Sequence, residues 1–354
     1  MLTDRLTELL AAKAAAEEFS GVVVLQRQEQ PLFSGAYGFA QRGWQITNRR
    51  DTRFRLASVS KMFTAAAVLQ CIAQEKLSLD TPIVALLGLQ ASRIPPQVTI
   101  AHLLTMTSGI ADWFDESGDW EANWQALRRA HPLYLLRSNA DYLPLFTAQP
   151  PEAEPGAGYK YNGAGYILLG LALSQVTGLT YEDAIRRFVF EPAGMQGADF
   201  IALDEIAPQL AEGYMAAPDA PDGWLKNIYS VTPSAAADGG AVAAADDLLH
   251  FSAALRAGKL LPPDWKQAML TPQVKQGADR PYDYDWFYGY GLNFITEADG
   301  TIVRWGHTGE EDGVSCRFYH YPAQQIDLVI LGNQSWCAGK LGWEIHDLIL
   351  AAET

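Results

Sequence analysis

The chain has 354 residues, of which 49% are hydrophobic and 11% aromatic, and this composition indicates a globular protein with a large core and excludes a disordered chain. Its formal net charge of −15 would repel a nucleic-acid backbone, so we expect no nucleic-acid partner. No segment approaches the roughly 20 apolar residues that cross a bilayer, and the three cysteines are too few and too scattered for a disulfide framework.

The first predicted element is a helix over residues 1–20, where charged residues recur every few positions among leucines and alanines. This pattern is typical of an amphipathic helix and lacks the uninterrupted apolar stretch of an export signal. Together with the scattered cysteines, it leads us to expect a soluble protein in the reducing cytoplasm with no membrane partner. The oligomeric state is left open.

Strands are predicted near both ends of the chain. Residues 21–40 contain two runs of β-branched and aromatic residues around a Pro-containing break, which indicates a hairpin. Four later runs with short connections predict further antiparallel strands: GYGLNFI, TIVRWGH, VSCRFYHY and DLVILGN. Residues 338–352 have helical periodicity, and we expect this helix to pack on the sheet together with the first one.

Between these strand groups the sequence is rich in alanine and leucine at helical spacing, as in KMFTAAAVLQCIAQEKL and GYILLGLALSQV. Pro- and Gly-rich segments interrupt it and are predicted to be surface loops. We therefore expect an α/β (α+β) fold with a cleft between two lobes. Residues 1–56 and 285–354 would form a lobe with an antiparallel sheet and terminal helices, and residues 57–284 a mainly helical lobe.

The first candidate for chemistry is Ser58, which has Lys61 three positions later at the start of a helical run. Positions three apart share a helix face, so the Lys61 amine can reach the Ser58 hydroxyl, and burial would lower the lysine pKa enough for it to accept a proton. An isolated S-x-x-K is also explained by a serine that caps a helix and a solvated lysine. The surrounding sequence favours catalysis.

Several segments occur in the order of a known family: FRLASVSKMFTAAAVLQ, IAHLLTMTSGI, YNGAGYILLG, DGGAVAAADDLLHF and WGHTGEEDG. With them the chain resembles the serine β-lactamase and penicillin-binding protein superfamily, most closely its class C β-lactamase and esterase-like branch. The likeness runs from about residue 20 to residue 335. It implies a β-lactamase/transpeptidase-like fold, which coincides with the architecture predicted from the residues themselves.

The resemblance implies catalytic roles for matched positions. Ser58 corresponds to the acylated serine, Lys61 to its lysine partner and Tyr161 to the tyrosine of the Y-x-N element, which shares proton transfer with the lysine. A structural alternative makes Tyr161 a buried tyrosine with satisfied hydrogen bonds. By the same analogy, the backbone N–H groups of Ser58 and Glu310 would form the oxyanion hole.

The third family element corresponds to His307, Thr308 and Gly309, which stand where true β-lactamases have K-T-G and esterase-like relatives often have H-T-G. The resemblance implies that these residues line the substrate cleft. The alternative for His307 is a strand histidine in a polar patch. Replacing the lysine removes a permanent cation that would attract the carboxylate of a β-lactam or peptide.

The Y-x-N element departs from the family at its last position, where Gly163 stands in place of asparagine. Asn162 is adjacent, so both positions are candidates for substrate contact, and peptide-like substrates should be recognised poorly. Aromatic residues could also wall the pocket, with Trp113 the first candidate. The others form two clusters: Phe114, Trp120 and Trp124, and then Tyr282, Tyr284, Trp286, Phe287, Tyr288 and Tyr290.

Competing signals are weak. GAGYILLG has two glycines at dinucleotide-binding spacing, but Leu168 occupies the third position. No serine lies in G-x-S-x-G, and the six histidines form neither H-x-H nor H-x-x-x-H pairs. We therefore expect no cofactor and no metal site.

The leading hypothesis is a serine hydrolase that forms an acyl-enzyme with a small ester or amide, with an esterase slightly favoured. The enzymatic alternative is a β-lactamase, or a D-alanyl-D-alanine carboxypeptidase or D-aminopeptidase-type enzyme. An alternative of another class is a catalytically weak binding or scaffolding module, for which Gly163 would be a first sign of decay. The predicted trio of Ser58, Lys61 and Tyr161 argues against that module.

Overall fold

The computed structural model describes residues 2–277 and 282–352. Its strands are β1 (Gly21–Arg27), β2 (Gln30–Tyr37), β3 (Phe39–Gln41), β4 (Ile46–Thr47), β5 (Phe54–Arg55), β6 (Tyr214–Ala216), β7 (Trp224–Lys226), β8 (Val242–Ala243), β9 (Val274–Lys275), β10 (Asp285–Tyr288), β11 (Asn293–Thr296), β12 (Ile302–Glu311), β13 (Val314–Tyr321) and β14 (Ile326–Gly332). Eight of them form one antiparallel sheet in the order β2-β1-β14-β13-β12-β11-β10-β9.

The helices are α1 (Leu2–Ala15), α2 (Lys61–Ala73), α3 (Ile83–Leu87), α4 (Ile100–Leu104), α5 (Trp120–Ala130), α6 (Leu143–Phe146), α7 (Gly163–Thr177), α8 (Tyr181–Ile185), α9 (Glu191–Ala193), α10 (Ala245–Arg256), α11 (Pro263–Met269) and α12 (Gly339–Ala351). No single helix in the described part of the chain is long and apolar enough to cross a membrane; the bent pair Gly163–Thr177 and Tyr181–Ala193 meets the length and composition test when taken together.

The main sheet joins the two ends of the chain. β1 pairs with β14 along its whole length, from Gly21 opposite Gly332 to Arg27 opposite Ile326. The predicted hairpin is β1 and β2, and the four predicted C-terminal strands are β11 to β14. Every residue of β13 and β14 is buried, because layers cover both faces of the sheet, and this explains their long apolar runs.

Helices from the chain ends cover one face of the sheet, as predicted. Leu6 and Leu10 of α1 and Ile345 and Ile349 of α12 share a core with apolar residues of β1, β13 and β14. The opposite face belongs to a larger core that includes α2, α7 and α10. In α2, the residues from Lys61 to Leu69 are all buried, so this helix runs through the protein interior.

The segment 57–284 is mainly helical, and it also contributes the short strands β6 to β9. β9 extends the edge of the main sheet by pairing with β10. β8 pairs with β5, which brings Val242 and Ala243 beside the strand that leads into the S-x-x-K segment. The stretch after residue 238 is thereby fixed close to Ser58.

Asp327 of β14 ties the sheet to α10. It is fully buried, and its carboxylate accepts hydrogen bonds from Ser252 Oγ at 2.6 Å and Arg256 Nη2 at 3.0 Å. His320 Nδ1 on the adjacent strand is 2.8 Å from the same carboxylate. A buried carboxylate of this kind is stabilised by its partners and leaves them uncompensated when it is removed.

We predict that Asp327→Ala lowers the free energy of unfolding by about 3–5 kcal/mol, because Arg256 loses its counter-charge and Ser252 and His320 lose a buried hydrogen-bond partner. Urea unfolding followed by tryptophan fluorescence measures the change. Asp204→Ala, which breaks the exposed pair with Arg137, is the control and should cost at most about 1 kcal/mol. Equal effects of the two substitutions would contradict the buried role of Asp327.

Candidate active site

Ser58 lies in a tight turn between β5 and α2. Residues Ala57–Ser60 form a 3-10 turn, and Ala57 has a φ of 45°, in the left-handed region that alanine rarely adopts. The turn is held by Ser60 Oγ, which donates to Ala57 O at 2.8 Å, and by Gly240 N, which donates to the same oxygen at 3.2 Å. Ala57, Val59 and Ser60 are buried, whereas Ser58 is partly exposed, so its hydroxyl is accessible.

Lys61 begins α2, and its side chain is 1% exposed. Its Nζ donates to Ser58 Oγ at 2.9 Å and to the backbone carbonyl of Asp238 at 2.5 Å. Burial lowers the pKa of Lys61, and the nearby carboxylates of Asp238 and Glu116 oppose that shift in part. The amine therefore has a larger neutral fraction than a solvated lysine, as the sequence predicted.

Tyr161 completes a three-residue contact. Its OH donates to Ser58 Oγ at 2.8 Å, and Lys61 Nζ lies 5.0 Å from the centre of its ring. Burial, together with the charge of Glu116, raises the pKa of Tyr161 well above its ordinary value, so the phenol is protonated. One hydroxyl, one amine and one phenol from separate segments thus converge on a single oxygen.

β12 passes directly beside the Ser58 turn. A Cβ atom on Gly309 would lie 2.2 Å from the carbonyl oxygen of Leu56, so any side chain there would push the strand away. Thr308 lines the open groove. Glu310 follows, and its side chain accepts hydrogen bonds from Ser315 Oγ at 2.9 Å and Arg317 Nη2 at 2.5 Å. Close contact through glycine fixes the distance between the strand and the Ser58 turn.

The family resemblance implies that the side chain of His307 contacts the substrate, but the structure places it in the protein interior. The side chain is buried, and Nδ1 lies 2.6 Å from the carbonyl oxygen of Thr308, so Nδ1 carries the proton. Nε2 is 3.2 Å from Tyr288 OH. Burial lowers the pKa of His307 to about 3. The histidine is neutral and does not line the cavities beside Ser58.

Asn162 also points away from the cleft. It is the N-cap of α7, where its Oδ1 accepts from Gly165 N at 2.8 Å, and its Nδ2 donates to the carbonyl of Ile110 at 2.9 Å. At Gly163, a Cβ atom would lie 2.8 Å from both Asp238 Oδ2 and Trp113 Nε1. Those two atoms form a hydrogen bond of 2.8 Å. Their contact therefore occupies the space that a side chain at position 163 would need.

Sequence reasoning missed two of the acidic residues around the site. Asp112 accepts from Gly163 N at 2.7 Å and Ala164 N at 2.8 Å, which caps α7, and burial raises its pKa to about 7. Asp238, which is 8% exposed, has its pKa raised by burial, an effect that the Lys61 charge opposes. The segment around Asp238 was recognised as a family motif, but nothing in its spacing identified that carboxylate.

Glu116 is the third acidic residue that the sequence did not identify. It lies at the mouth of the cleft and is open to solvent on one side. Partial desolvation by the surrounding cleft walls raises its pKa to about 7, an effect that the Lys61 charge opposes and that Asp112 and Asp238 reinforce. Glu116 has no hydrogen bond or ion pair to the residues that the structure describes.

Two cavities meet at Ser58. The smaller, of about 70 Å³, is lined by Trp113 with other aromatic and acidic side chains. The larger, of about 590 Å³, is a groove that extends past Tyr161 and Thr308 toward Arg304. Among the second aromatic cluster predicted to flank the cleft, Trp286 lines this groove, whereas Tyr282 stacks on Trp343 with ring centres 4.2 Å apart.

The fold and the serine-centred contact define a serine hydrolase of the penicillin-binding-protein-like class. The family model described as Beta-lactamase matches residues 6–336, and the chain belongs to that family. Its sequence is 30% identical to "Esterase EstB" of Burkholderia gladioli over 298 residues, which cover 76% of this chain and 74% of that protein.

Other similar proteins carry different names within the same class. The crystal structure of a penicillin-binding protein from Bacillus halodurans matches with a TM-score of 0.84 and 35% identity, over 97% of this chain and 99% of that one. "D-aminopeptidase" of Brucella anthropi is 25% identical over 94% of this chain and 60% of its own length. These relatives support hydrolysis of a small ester or amide.

We predict that Gly309→Ala lowers kcat/KM for a chromogenic ester by at least about tenfold, because the new Cβ would displace β12 from the Ser58 turn, and small misplacements at a reacting centre cost up to about a hundredfold. Steady-state kinetics measure the loss. Gly43→Ala, at an exposed turn where a Cβ meets nothing within 4 Å, is the control for replacing a glycine. Unchanged kinetics in Gly309→Ala would refute the close contact.

The pH dependence should follow the neutral form of Lys61. Its lowered pKa predicts that kcat/KM for a neutral ester rises with pH along a limb below the ordinary lysine value of 10.5. Glu116→Gln removes a charge that raises this pKa, so the limb should move to lower pH. Glu29→Gln, exposed in the turn between β1 and β2, should leave it in place. A shift of the Glu116→Gln limb to higher pH would contradict the assignment.

Proposed function

We propose that the chain hydrolyses small esters in two steps at Ser58. Ser58 Oγ attacks the carbonyl carbon, and its proton passes to neutral Lys61 as the new C–O bond forms. Lys61 and Tyr161 deliver that proton to the leaving alkoxide when the ester bond breaks. Water then attacks the acyl-enzyme by the reverse path and releases the acid, which restores the Ser58 hydroxyl.

The backbone N–H groups of Ser58 and Glu310 form the oxyanion hole in this proposal. Support comes from the close contact between Gly309 and Leu56, which holds β12 against the nucleophile turn. In the transition state the carbonyl oxygen becomes negative, and fixed N–H donors stabilise it far better than mobile water does. Thr308 and Trp113 would contact the substrate, since they line the groove and the small cavity respectively.

The observation that carries the proposal is the convergence of Lys61 Nζ and Tyr161 OH on Ser58 Oγ, at 2.9 Å and 2.8 Å. A purely structural serine would not need a buried amine and a protonated phenol on the same oxygen. This arrangement also argues against a binding or scaffolding module, because burial of Lys61 without a catalytic use would only destabilise the fold.

An esterase is favoured over a β-lactamase for two reasons. His307 is buried and neutral, so it offers no cation to a substrate carboxylate. The space for an asparagine side chain at position 163 is filled by Asp238 and Trp113. The similarity to an esterase points the same way. Amide hydrolysis is the second candidate, favoured by the acidic lining near Ser58 and by the D-aminopeptidase relative.

We also infer a cytoplasmic location, for which the three free cysteines are the supporting observation. No cofactor or metal takes part in the proposed reaction, and each proton transfer uses groups of the chain itself. We propose no nucleic-acid partner, because the net charge of −15 opposes phosphate binding.

We predict that a fluorophosphonate probe adds one phosphonyl group to Ser58 in the wild type and none in Ser58→Ala, as measured by intact-protein and peptide mass spectrometry. A chromogenic ester should be turned over at least about tenfold faster than a chromogenic cephalosporin, because a substrate carboxylate finds no cation at position 307. Absence of the adduct in a folded wild-type protein would favour the binding module. Faster cephalosporin turnover would favour a β-lactamase.

A further inference from the structure

The two cavities that meet at Ser58 differ greatly in size. In the proposed reaction Tyr161 helps to protonate the leaving alkoxide, and Tyr161 lines the large groove, so the alcohol part of an ester lies there. The acyl chain then points into the small cavity. That cavity has a volume of about 70 Å³, against about 590 Å³ for the groove. With the cavity walls in this position, only a short acyl chain fits.

One wall of the small cavity is formed by residues 115–130, which comprise a loop and the helix α5. Glu116, Trp120 and Trp124 of this segment line the cavity. Trp124 is the one buried residue among the eleven of α5, and its Nε1 donates to the carbonyl oxygen of Ser230 at 2.8 Å. The neighbouring helix α7 buries ten of its fifteen residues. Because a helix in a protein is stabilised mainly by packing of its buried face, α5 is weakly held.

The two ends of this segment are exposed. Residues 115–119 are exposed at its start, and Gly118 among them has a φ of 72°, with nothing within 4 Å of the position of a Cβ. Residues 129–132 are exposed at its end. The ion pair of Arg128 with Asp312 is long, at 3.9 Å, and contributes little. Exposed ends of this kind can absorb the backbone rotation that a moving segment requires.

Trp336, in the turn between β14 and α12, contacts the segment through an aromatic ring. It packs edge to face on Trp120, with ring centres 5.3 Å apart, and its side chain is 51% exposed. The turn that carries it is fixed to the sheet, since Ser335 Oγ accepts a hydrogen bond from Gly313 N at 2.8 Å. Trp336 is therefore a fixed partner for a weakly held helix.

We propose that residues 115–130 form a lid over the acyl side of Ser58 and that Trp336 is the latch of this lid. Opening of the lid widens the small cavity, so the latch determines how large an acyl group the enzyme accepts. Trp336 acts through Trp120 and is a positioning residue. This inference rests on the proposed hydrolysis at Ser58 and assigns the control of acyl size to a contact outside the catalytic trio.

Hydrogen exchange followed by mass spectrometry tests the lid in the unmodified protein. We expect the amides of α5 to exchange at least about tenfold faster than those of α7, because opening of α5 exposes little buried surface and a free helix of its length is marginal in water. Exchange of α5 as slow as that of α7 would overturn the proposal. This measurement does not depend on the folding of a variant.

Trp336→Ala tests the latch. Exchange in α5 should become at least about threefold faster, as expected for the loss of one edge-to-face aromatic contact. Trp44→Ala is the matched control, because Trp44 is 81% exposed in the turn between β3 and β4 and lines neither cavity at Ser58. It should leave exchange in α5 unchanged. Equal exchange in α5 of the wild type and Trp336→Ala would overturn the role of Trp336.

Two esters of one alcohol test the control of acyl size. The kcat/KM for 4-nitrophenyl hexanoate divided by that for 4-nitrophenyl acetate gives an acyl-size ratio, in which effects on the alcohol side cancel. We expect Trp336→Ala to raise this ratio at least about threefold and Trp44→Ala to leave it unchanged. An unchanged ratio in Trp336→Ala would overturn the proposal while leaving the esterase intact.

Failure of the proposed function gives a different result. A folded wild-type protein that hydrolyses neither ester would refute hydrolysis at Ser58, and the control of acyl size with it. The exchange rates of α5 and α7 do not depend on turnover, so they decide separately whether the lid opens.

Discussion

The site depends on one costly feature, the burial of the Lys61 amine against Ser58. A charged lysine in the interior loses its hydration. The carbonyl of Asp238, which accepts a hydrogen bond from Nζ, and the nearby carboxylates compensate for part of that loss. These groups hold the amine in place without forming a direct ion pair that would fix its proton. The lysine can therefore exist in both protonation states, which a base in two-step hydrolysis requires.

The acidic residues around the site follow from the same requirement. Carboxylates near Lys61 keep its pKa from falling too far, and burial, with a smaller contribution from neighbouring carboxylates, raises the pKa values of Asp112 and Glu116. The electrostatic environment of Lys61 thus depends on Asp112, Glu116 and Asp238 together.

The contact of Ser58 with Lys61 was predictable from local spacing, and that with Tyr161 from the resemblance of the YNGAGY segment to the family. Ser58 and Lys61 are three residues apart at a helix start, and the register of the YNGAGY segment identified Tyr161. The strands β1, β2 and β11 to β14 and the terminal helices were predicted from periodicity. Side-chain direction was harder: His307 and Asn162 occupy family positions, but their hydrogen bonds to Thr308 and Ile110 turn them inward.

Glu116 and Asp238 could not be identified in the same way. Acidic residues in loops are usually solvated, and these become part of the site through contacts between distant segments. Asp238 reaches Trp113 across 125 positions of sequence, and Gly163 has to lack a side chain for that contact to form. The only trace of this in the sequence is Gly163, which stands in a motif that normally ends in asparagine. By itself that glycine suggests decay of the site, but in the structure it leaves room for the contact between Asp238 and Trp113.

The pairing of β1 with β14 has a consequence for the order in which the protein matures. A ribosome makes the Ser58 turn early, but β12 reaches its place only when β13 and β14 have been added and β14 has closed onto β1. Such long-range closure is slow compared with helix formation. The nascent chain therefore carries Ser58 for most of translation without the strand that packs against its turn in the folded protein.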